Sequence, residues 1–187
     1  MDSVTVGGIR IPSSDPLFLS VLAVHVAAGL VSVIAGATAA LSAKRRGRHT
    51  TAGTLYFRAL TVVFITMSAL AAMRWKENYH LFLIGFVSFG SAVLARRIVV
   101  GRSPRHIRWH LVGMGASYTL LLVAFYVDLG HQLPLWKRLP PVWYWLLPGA
   151  IGLLLTLRAF LRHPLARAER AQVGRLRGKK PVTRQSS

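Results

Sequence analysis

The sequence predicts an all-α polytopic transmembrane bundle of five spans, with the N-terminus outside and the C-terminus in the cytoplasm. Five apolar stretches alternate with bands of basic residues along the chain. Hydrophobic residues make up 53% of the 187 residues, and only 5 residues are acidic. This composition excludes an ordinary soluble domain, and it indicates a chain that uses the bilayer as its solvent.

The five stretches cover residues 17–43, 55–73, 79–95, 111–129 and 142–157. A helix that crosses the hydrocarbon core needs about 20 mostly apolar residues, with about 17 as the lower limit. The last stretch is short unless its helix continues past Arg158, whose side chain can snorkel to the interface. We therefore predict one domain, the five-helix domain 1–164, followed by a basic and partly disordered cytoplasmic tail, 165–187.

The basic residues predict the orientation of these spans. Of the 24 Lys and Arg residues, 19 fall on one side of the predicted membrane and five on the other. Cytoplasmic loops carry the excess of Lys and Arg. The basic segments 42–54, 96–109 and 158–187 are therefore predicted to be cytoplasmic, and segments 1–16, 74–78 and 130–141 to be external. We find no convincing internal repeat.

The net charge of +19 is explained by topology and by contact with lipid headgroups rather than by nucleic-acid binding. We predict that basic residues beside the first and fourth spans bind anionic lipid; these residues are Arg45, Arg46, Arg48, Arg105 and Arg108. The chain has no cysteine, which excludes disulfides and thiolate chemistry. Walker-type, His-Glu-x-x-His and Gly-x-Ser-x-Gly motifs are also absent from the sequence. A homo-oligomer is possible.

One face of the first span carries a histidine and small residues at steps of three or four; the residues are His25, Gly29, Ser32, Gly36 and Ala40. The small residues are typical of a helix-packing seam. An ionisable group inside a membrane is a functional hypothesis by default. In an antiparallel bundle the outer part of this helix can approach His80, Asp128 and His131. We therefore expect His25 to face the interior and to meet one of them, directly or through a metal.

The fourth span presents His110, Met114, Ser117 and Tyr118 on one face, and His49 lies near the start of the second span. We expect His49 and His110 to lie on the cytoplasmic side, each near the start of a helix. Histidine and methionine are both competent ligands of haem iron or copper, although methionine at helical spacing is more often core packing.

Three motifs together resemble a bacterial family of small polytopic membrane proteins, which is catalogued as domain of unknown function 2306. The resemblance covers about residues 17–130. The motifs are His25-x3-Gly29 with Gly36, then Gly47-Arg48-His49 with Gly53 and Tyr56, then Trp109-His110-x3-Met114-x2-Ser117-Tyr118 with Ala124-Phe125. The resemblance implies a multi-helix inner-membrane protein whose histidines are candidate functional residues, and it implies no activity.

Three functions stay open from the sequence. The first is binding of haem or a transition metal through histidines, for electron transfer or cofactor handling. His25 is the only deep histidine, so a second haem ligand would have to come from the rim or from Met114. The second is a non-catalytic membrane module for assembly or lipid interaction. The third is a small transporter, or a membrane enzyme acting on a lipid or quinone.

Overall fold

A computed structural model describes residues 4–6, 9–11, 13–43, 47–98, 104–133 and 138–162. Strands β1 (Val4–Val6) and β2 (Ile9–Ile11) precede five helices: α1 (Pro16–Leu41), α2 (Arg48–Met73), α3 (Trp75–Ile98), α4 (Pro104–Leu129) and α5 (Val142–Arg162). The prediction of a helical chain with five helices is confirmed. Helices α1 to α4 are long and apolar enough to cross a membrane, whereas the apolar part of α5 is shorter.

Two predicted cytoplasmic loops are much shorter than the sequence suggested. Helix α2 begins at Arg48 and α4 at Pro104, well before the expected starts at 55 and 111. The apolar stretch marks only the part of a helix that suits hydrocarbon, and polar residues can continue the same helix into the interface. Proline is favoured in the first turn because its missing N–H group would be unpaired there. Residues 48–54, 96–98 and 104–109, which were predicted to lie in cytoplasmic loops, are therefore helical.

The segment before α1, predicted to be a short external segment, contains two short strands. Strands β1 and β2 pair antiparallel, with Thr5 opposite Arg10. Two residues at the start of α1 favour the beginning of a helix there. The Asp15 carboxylate accepts a hydrogen bond from the Leu17 N–H at 2.7 Å, and Pro16 occupies the first turn.

Neighbouring helices run antiparallel, and side-chain pairs fix their register. An aromatic ladder joins α2 to α3, in which the rings of Phe57 and Phe89 are 6.0 Å apart and those of Phe64 and Phe89 are 4.7 Å apart. Helix α1 packs mainly on α2, and α3 packs mainly on α4. The four helices therefore form two hairpins, α1–α2 and α3–α4, that pack on each other.

The two hairpins share a short sequence element, although the sequence predicted no internal repeat. Residues 29–33 of α1 read Gly-Leu-Val-Ser-Val, and residues 85–89 of α3 read Gly-Phe-Val-Ser-Phe. The serines of the two segments, Ser32 and Ser88, are both buried in the bundle. Two turns further along each helix, Ala39 and Ala95 each contact a histidine of the following helix through their carbonyl oxygens.

Equivalent residues of the two hairpins also make equivalent contacts. When the shared segments are aligned, Val33 corresponds to Phe89, and when the two histidines are aligned, Phe57 corresponds to Tyr118. Phe57 stacks on Phe89, and the Tyr118 hydroxyl donates to the Val33 carbonyl at 3.1 Å. The second helix of each hairpin therefore contacts the first helix of the other hairpin, and the two contacts use equivalent positions.

Helix α5 packs on α4 through a reciprocal seam. A side chain added at Gly115 would meet Thr156, and one added at Gly152 would meet Thr119. Both threonine hydroxyls donate to the carbonyl of the glycine one turn earlier in their own helix, at 2.9 Å for Thr119 and 2.8 Å for Thr156. The glycines let the two backbones approach closely. Helices in a bilayer associate through such close packing, because the hydrophobic effect does not drive helices together in lipid.

The outer faces of the helices are apolar. Leu30 and Ile34 of α1 and Leu153 and Leu154 of α5 are each about 60% exposed. A water-soluble protein rarely exposes such continuous apolar surface. The exposed leucine and isoleucine side chains instead suit contact with lipid acyl chains, which supports a membrane protein.

Candidate functional site

Two histidines at the basic end hold the ends of the hairpins together. The Nδ1 atom of His49 lies 2.9 Å from the Ala39 carbonyl oxygen, and that of His110 lies 3.0 Å from the Ala95 carbonyl oxygen. A carbonyl oxygen can only accept, so Nδ1–H donates in both pairs. Both alanines lie in the last turn of their helices, where carbonyls lack partners within the helix. His49 and His110 therefore cap the preceding helices. His49 is the second residue of α2, whereas His110 is the seventh residue of α4.

The centre of the bundle contains a buried hydroxyl cluster made by Tyr56, Ser88 and Ser117. The Tyr56 hydroxyl lies 2.7 Å from the Ser117 hydroxyl, and the Ser88 hydroxyl donates to the Ser117 carbonyl at 2.8 Å. All three side chains are almost fully buried. Every buried side-chain nitrogen or oxygen within the described residues has a hydrogen-bond partner. The cluster therefore joins three helices as a satisfied polar core.

The histidine–methionine face of α4 packs against this core. Tyr118 packs edge-on to Tyr56 with the ring centroids 6.1 Å apart, and Met114 packs against the same apolar core. Met114, Ser117 and Tyr118, which the sequence places on one face of the fourth span, all lie against the core of the bundle. The contacts of Met114 are those of core packing.

His25 has a different partner from those that the sequence suggested. Its Nδ1 atom lies 3.0 Å from the Thr66 hydroxyl of α2. That hydroxyl also contacts the backbone of its own helix, with the Val62 carbonyl oxygen at 2.8 Å and the Val63 carbonyl oxygen at 3.1 Å. Thr66 carries no motif, and nothing in the sequence alone singled it out.

The expected outer cluster is not formed in the part of the chain that the structure describes. No group of three histidine or acidic side chains within the described ranges could hold a metal. His80 packs against the ring of its neighbour Tyr79, and Asp128 is exposed one residue before the end of α4. The His131 side chain lies outside the described residues. The geometry gives no support to metal or haem binding, and the roles of His80, Asp128 and His131 stay predictions.

One end of the bundle is strongly basic. The starts of α2 and α4 and the end of α3 meet there, and they carry Arg48, Arg96, Arg97, Arg105 and Arg108. The Arg96 guanidinium lies 4.4 Å from the centre of the Phe57 ring, a cation–π contact that holds the charge against the bundle. Arg45 and Arg46 lie outside the described residues, as does the tail 165–187.

The opposite end has a mixed charge. Asp15, Glu77 and Asp128 lie there beside Arg74, Lys76 and Arg138. Arg74 and Glu77 approach to 3.5 Å. The bundle is therefore polarised along its axis, with a basic end and a nearly neutral end.

Searches against family models, curated proteins and solved structures find no match to this chain. The resemblance to domain of unknown function 2306 accordingly stays a prediction that rests on its motifs.

Proposed function

We propose that this protein is a non-catalytic membrane module that binds anionic lipid at its basic end. In this proposal five helices cross a bacterial inner membrane, the N-terminus is outside, and the basic end faces the cytoplasm. The chain would belong to the family that its motifs resemble. The observation that carries the proposal is the polarised charge, because the basic side chains of α2, α3 and α4 lie together at one end.

The interior of the bundle supports a structural rather than a catalytic role. The polar groups of Tyr56, Ser88 and Ser117 hydrogen-bond to one another. His49 and His110 cap the preceding helices. These groups stabilise the packing of the helices, whereas catalysis would require reactive groups that converge on a place where substrate can bind.

The basic end is suited to phosphate headgroups. Arg48 and Arg105 are exposed at the starts of α2 and α4, where the first-turn N–H groups of a helix also favour anions. A basic residue near an anionic membrane surface contributes about 1 kcal/mol. Three such residues are expected to favour anionic over neutral lipid by roughly 3 kcal/mol before salt screening.

Native mass spectrometry of protein extracted from mixed phosphatidylglycerol, cardiolipin and phosphatidylcholine bilayers tests this proposal. Replacement of Arg48, Arg105 and Arg108 by glutamine is expected to lower the retained anionic lipid at least severalfold and to leave phosphatidylcholine unchanged. The matched control replaces Arg74, Lys76 and Arg138 at the opposite end by glutamine. Equal losses from the two triple variants would show that lipid binding follows total charge rather than the basic end.

A further inference from the structure

Helix α5 covers a face of α4 that has an uncovered counterpart on α2. When the two capping histidines are aligned, Thr119, against which α5 packs, corresponds to Arg58. Four residues beyond each, Val123 is 8% exposed, whereas its counterpart Val62 is 38% exposed. The face of α2 that carries Arg58 is therefore open to the surroundings of the bundle.

Arg58 places a positive charge inside the apolar part of α2. It lies three residues within the apolar stretch 55–73, which is about 5 Å along the helix axis. Leu55, Val62 and Ile65 are exposed on the same side of the helix. An ionisable side chain within a membrane pairs with another group or reaches the interface. Helical side chains lean towards the N-terminus of their helix, so Arg58 extends towards the basic end.

A second guanidinium lies beside the same turn of α2. The guanidinium of Arg96 lies 4.4 Å from the centre of the ring of Phe57, the residue before Arg58. Because α3 runs antiparallel to α2, the side chain of Arg96 leans away from the basic end, whereas that of Arg58 leans towards it. The two charges therefore reach a similar level of the groove between α2 and α3 from opposite directions.

No carboxylate among the described residues neutralises these two charges. Asp15, Glu77 and Asp128 are the acids in that part of the chain, and all three lie at the opposite end of the bundle. Asp2 and Glu169 lie outside the described residues. A second copy of the chain in the same orientation would hold its three described acids at the far end as well. Like charges in a medium of low dielectric repel strongly, so the groove favours an anion supplied by the membrane.

From these observations we infer that the groove between α2 and α3 holds one anionic phospholipid. Its phosphate oxygens accept hydrogen bonds from Arg58 and Arg96, and an acyl chain lies over Val62 and Ile65. The two guanidinium groups select a negative headgroup, and the exposed apolar surface beside them favours a lipid over a free anion. The inference rests on the proposed function, which places the basic end at a membrane interface, and it assigns one lipid to a defined groove.

Native mass spectrometry of the delipidated full chain in detergent measures the affinity for successive dioleoylphosphatidylglycerol molecules. Arg58→Gln with Arg96→Gln is expected to weaken binding of the first molecule by about tenfold or more, because each basic residue at an anionic surface contributes roughly fivefold. Arg48→Gln with Arg105→Gln removes the same charge from the same end of the bundle. This second pair is expected to weaken the later molecules and to change the first far less.

The two pairs of variants separate this inference from the proposed function. Equal weakening of the first molecule by both pairs would overturn the defined groove and leave lipid binding at the basic end intact. No weakening by either pair would overturn both proposals. Glycerophosphoglycerol, which is the headgroup without acyl chains, is expected not to compete for the first site. Competition at the same concentration as the lipid would show a site for free anions and would overturn the assignment to a phospholipid.

A measurement of position keeps both arginines in place. Because the chain has no cysteine, Val62→Cys supplies a single attachment point for a bimane fluorophore, which is quenched on contact with a brominated acyl chain. Leu30→Cys is the matched control. Leu30 is 62% exposed on α1, and it lies at a similar depth because His25 faces Thr66 across the antiparallel pair α1–α2.

Both labelled chains are placed in phosphatidylcholine nanodiscs that contain increasing fractions of brominated phosphatidylglycerol. The label at Val62 is expected to be quenched at a lower brominated fraction than the label at Leu30, because the groove concentrates the anionic lipid. Identical quenching curves would contradict a bound lipid beside Val62. A label at Val62 that brominated lipid does not quench at all would also overturn the inference, because another protein would then cover the groove.

Discussion

Tyr56 and Ser117 occupy equivalent positions in the two hairpins, and their hydroxyl oxygens lie 2.7 Å apart. Each residue lies two helical turns after the histidine that caps its hairpin, His49 or His110. Ser88 of α3 joins the pair by donating to the Ser117 carbonyl. Equivalent positions of the two hairpins therefore meet in the buried centre of the bundle.

Removal of the Tyr56 hydroxyl is expected to destabilise the bundle. Tyr56→Phe keeps the ring contact with Tyr118 but leaves the buried Ser117 hydroxyl without its closest partner. The expected loss is about 1 kcal/mol in the free energy of unfolding, as for other hydrogen bonds between membrane helices. Denaturant titration in detergent micelles measures it. Tyr79→Phe, at an exposed position of α3, is the control, and an equal loss there would show that Tyr56 has no special role.

A methyl group at Gly36 is expected to disturb the packing of α1 on α4. The added carbon of Gly36→Ala would lie 2.5 Å from the Tyr118 ring and 3.1 Å from the Tyr56 ring. Overpacking of this kind costs about 1–3 kcal/mol. Gly29→Ala on the same helix meets nothing within 4 Å and is expected to be neutral or slightly stabilising. Similar unfolding free energies for the two variants would contradict the close approach at Gly36.

The α4–α5 seam makes a separate prediction about α5. Gly152→Val would place a side chain against Thr119, and it is expected to lower the unfolding temperature in detergent by several degrees. Gly149→Val lies on the same helix and meets nothing within 4 Å, so it controls for the change in helix propensity. Equal unfolding temperatures for the two variants would contradict packing of α5 on α4 through Gly152.

Reporter fusions test the orientation and the number of crossings. Fusions after Arg48, Arg102 and the C-terminus are expected to report cytoplasm, and fusions after Asn78 and Gln132 are expected to report the outside. The reason is the excess of Lys and Arg in the segments predicted to be cytoplasmic. A C-terminal fusion that reports the outside would show that α5 does not cross the membrane, and inverted signals throughout would reverse the orientation.

The helical class and the number of helices could be predicted from the sequence because apolar length is a property of consecutive residues. A stretch such as 111–129 must be helical in lipid, since its backbone groups have no other partners there. The helix ends were less predictable. The helices that begin at Arg48 and Pro104 start outside the apolar stretches. A helix turn at the membrane interface is solvated, so its residues need not be hydrophobic.

The sequence by itself determined the apolar stretches, the polarised charge and the identity of the histidines. Only the tertiary structure decided which groups those histidines meet, because a hydrogen bond depends on the register between helices. His25 bonds to Thr66 rather than to His80 or Asp128, since α1 packs along α2 and not against the outer ends of α3 and α4. Likewise, the likeness between residues 29–33 and 85–89 becomes informative only when both serines are seen to be buried in matching hairpins. A match over five residues is weak evidence of a repeat unless the two segments also pack in the same way.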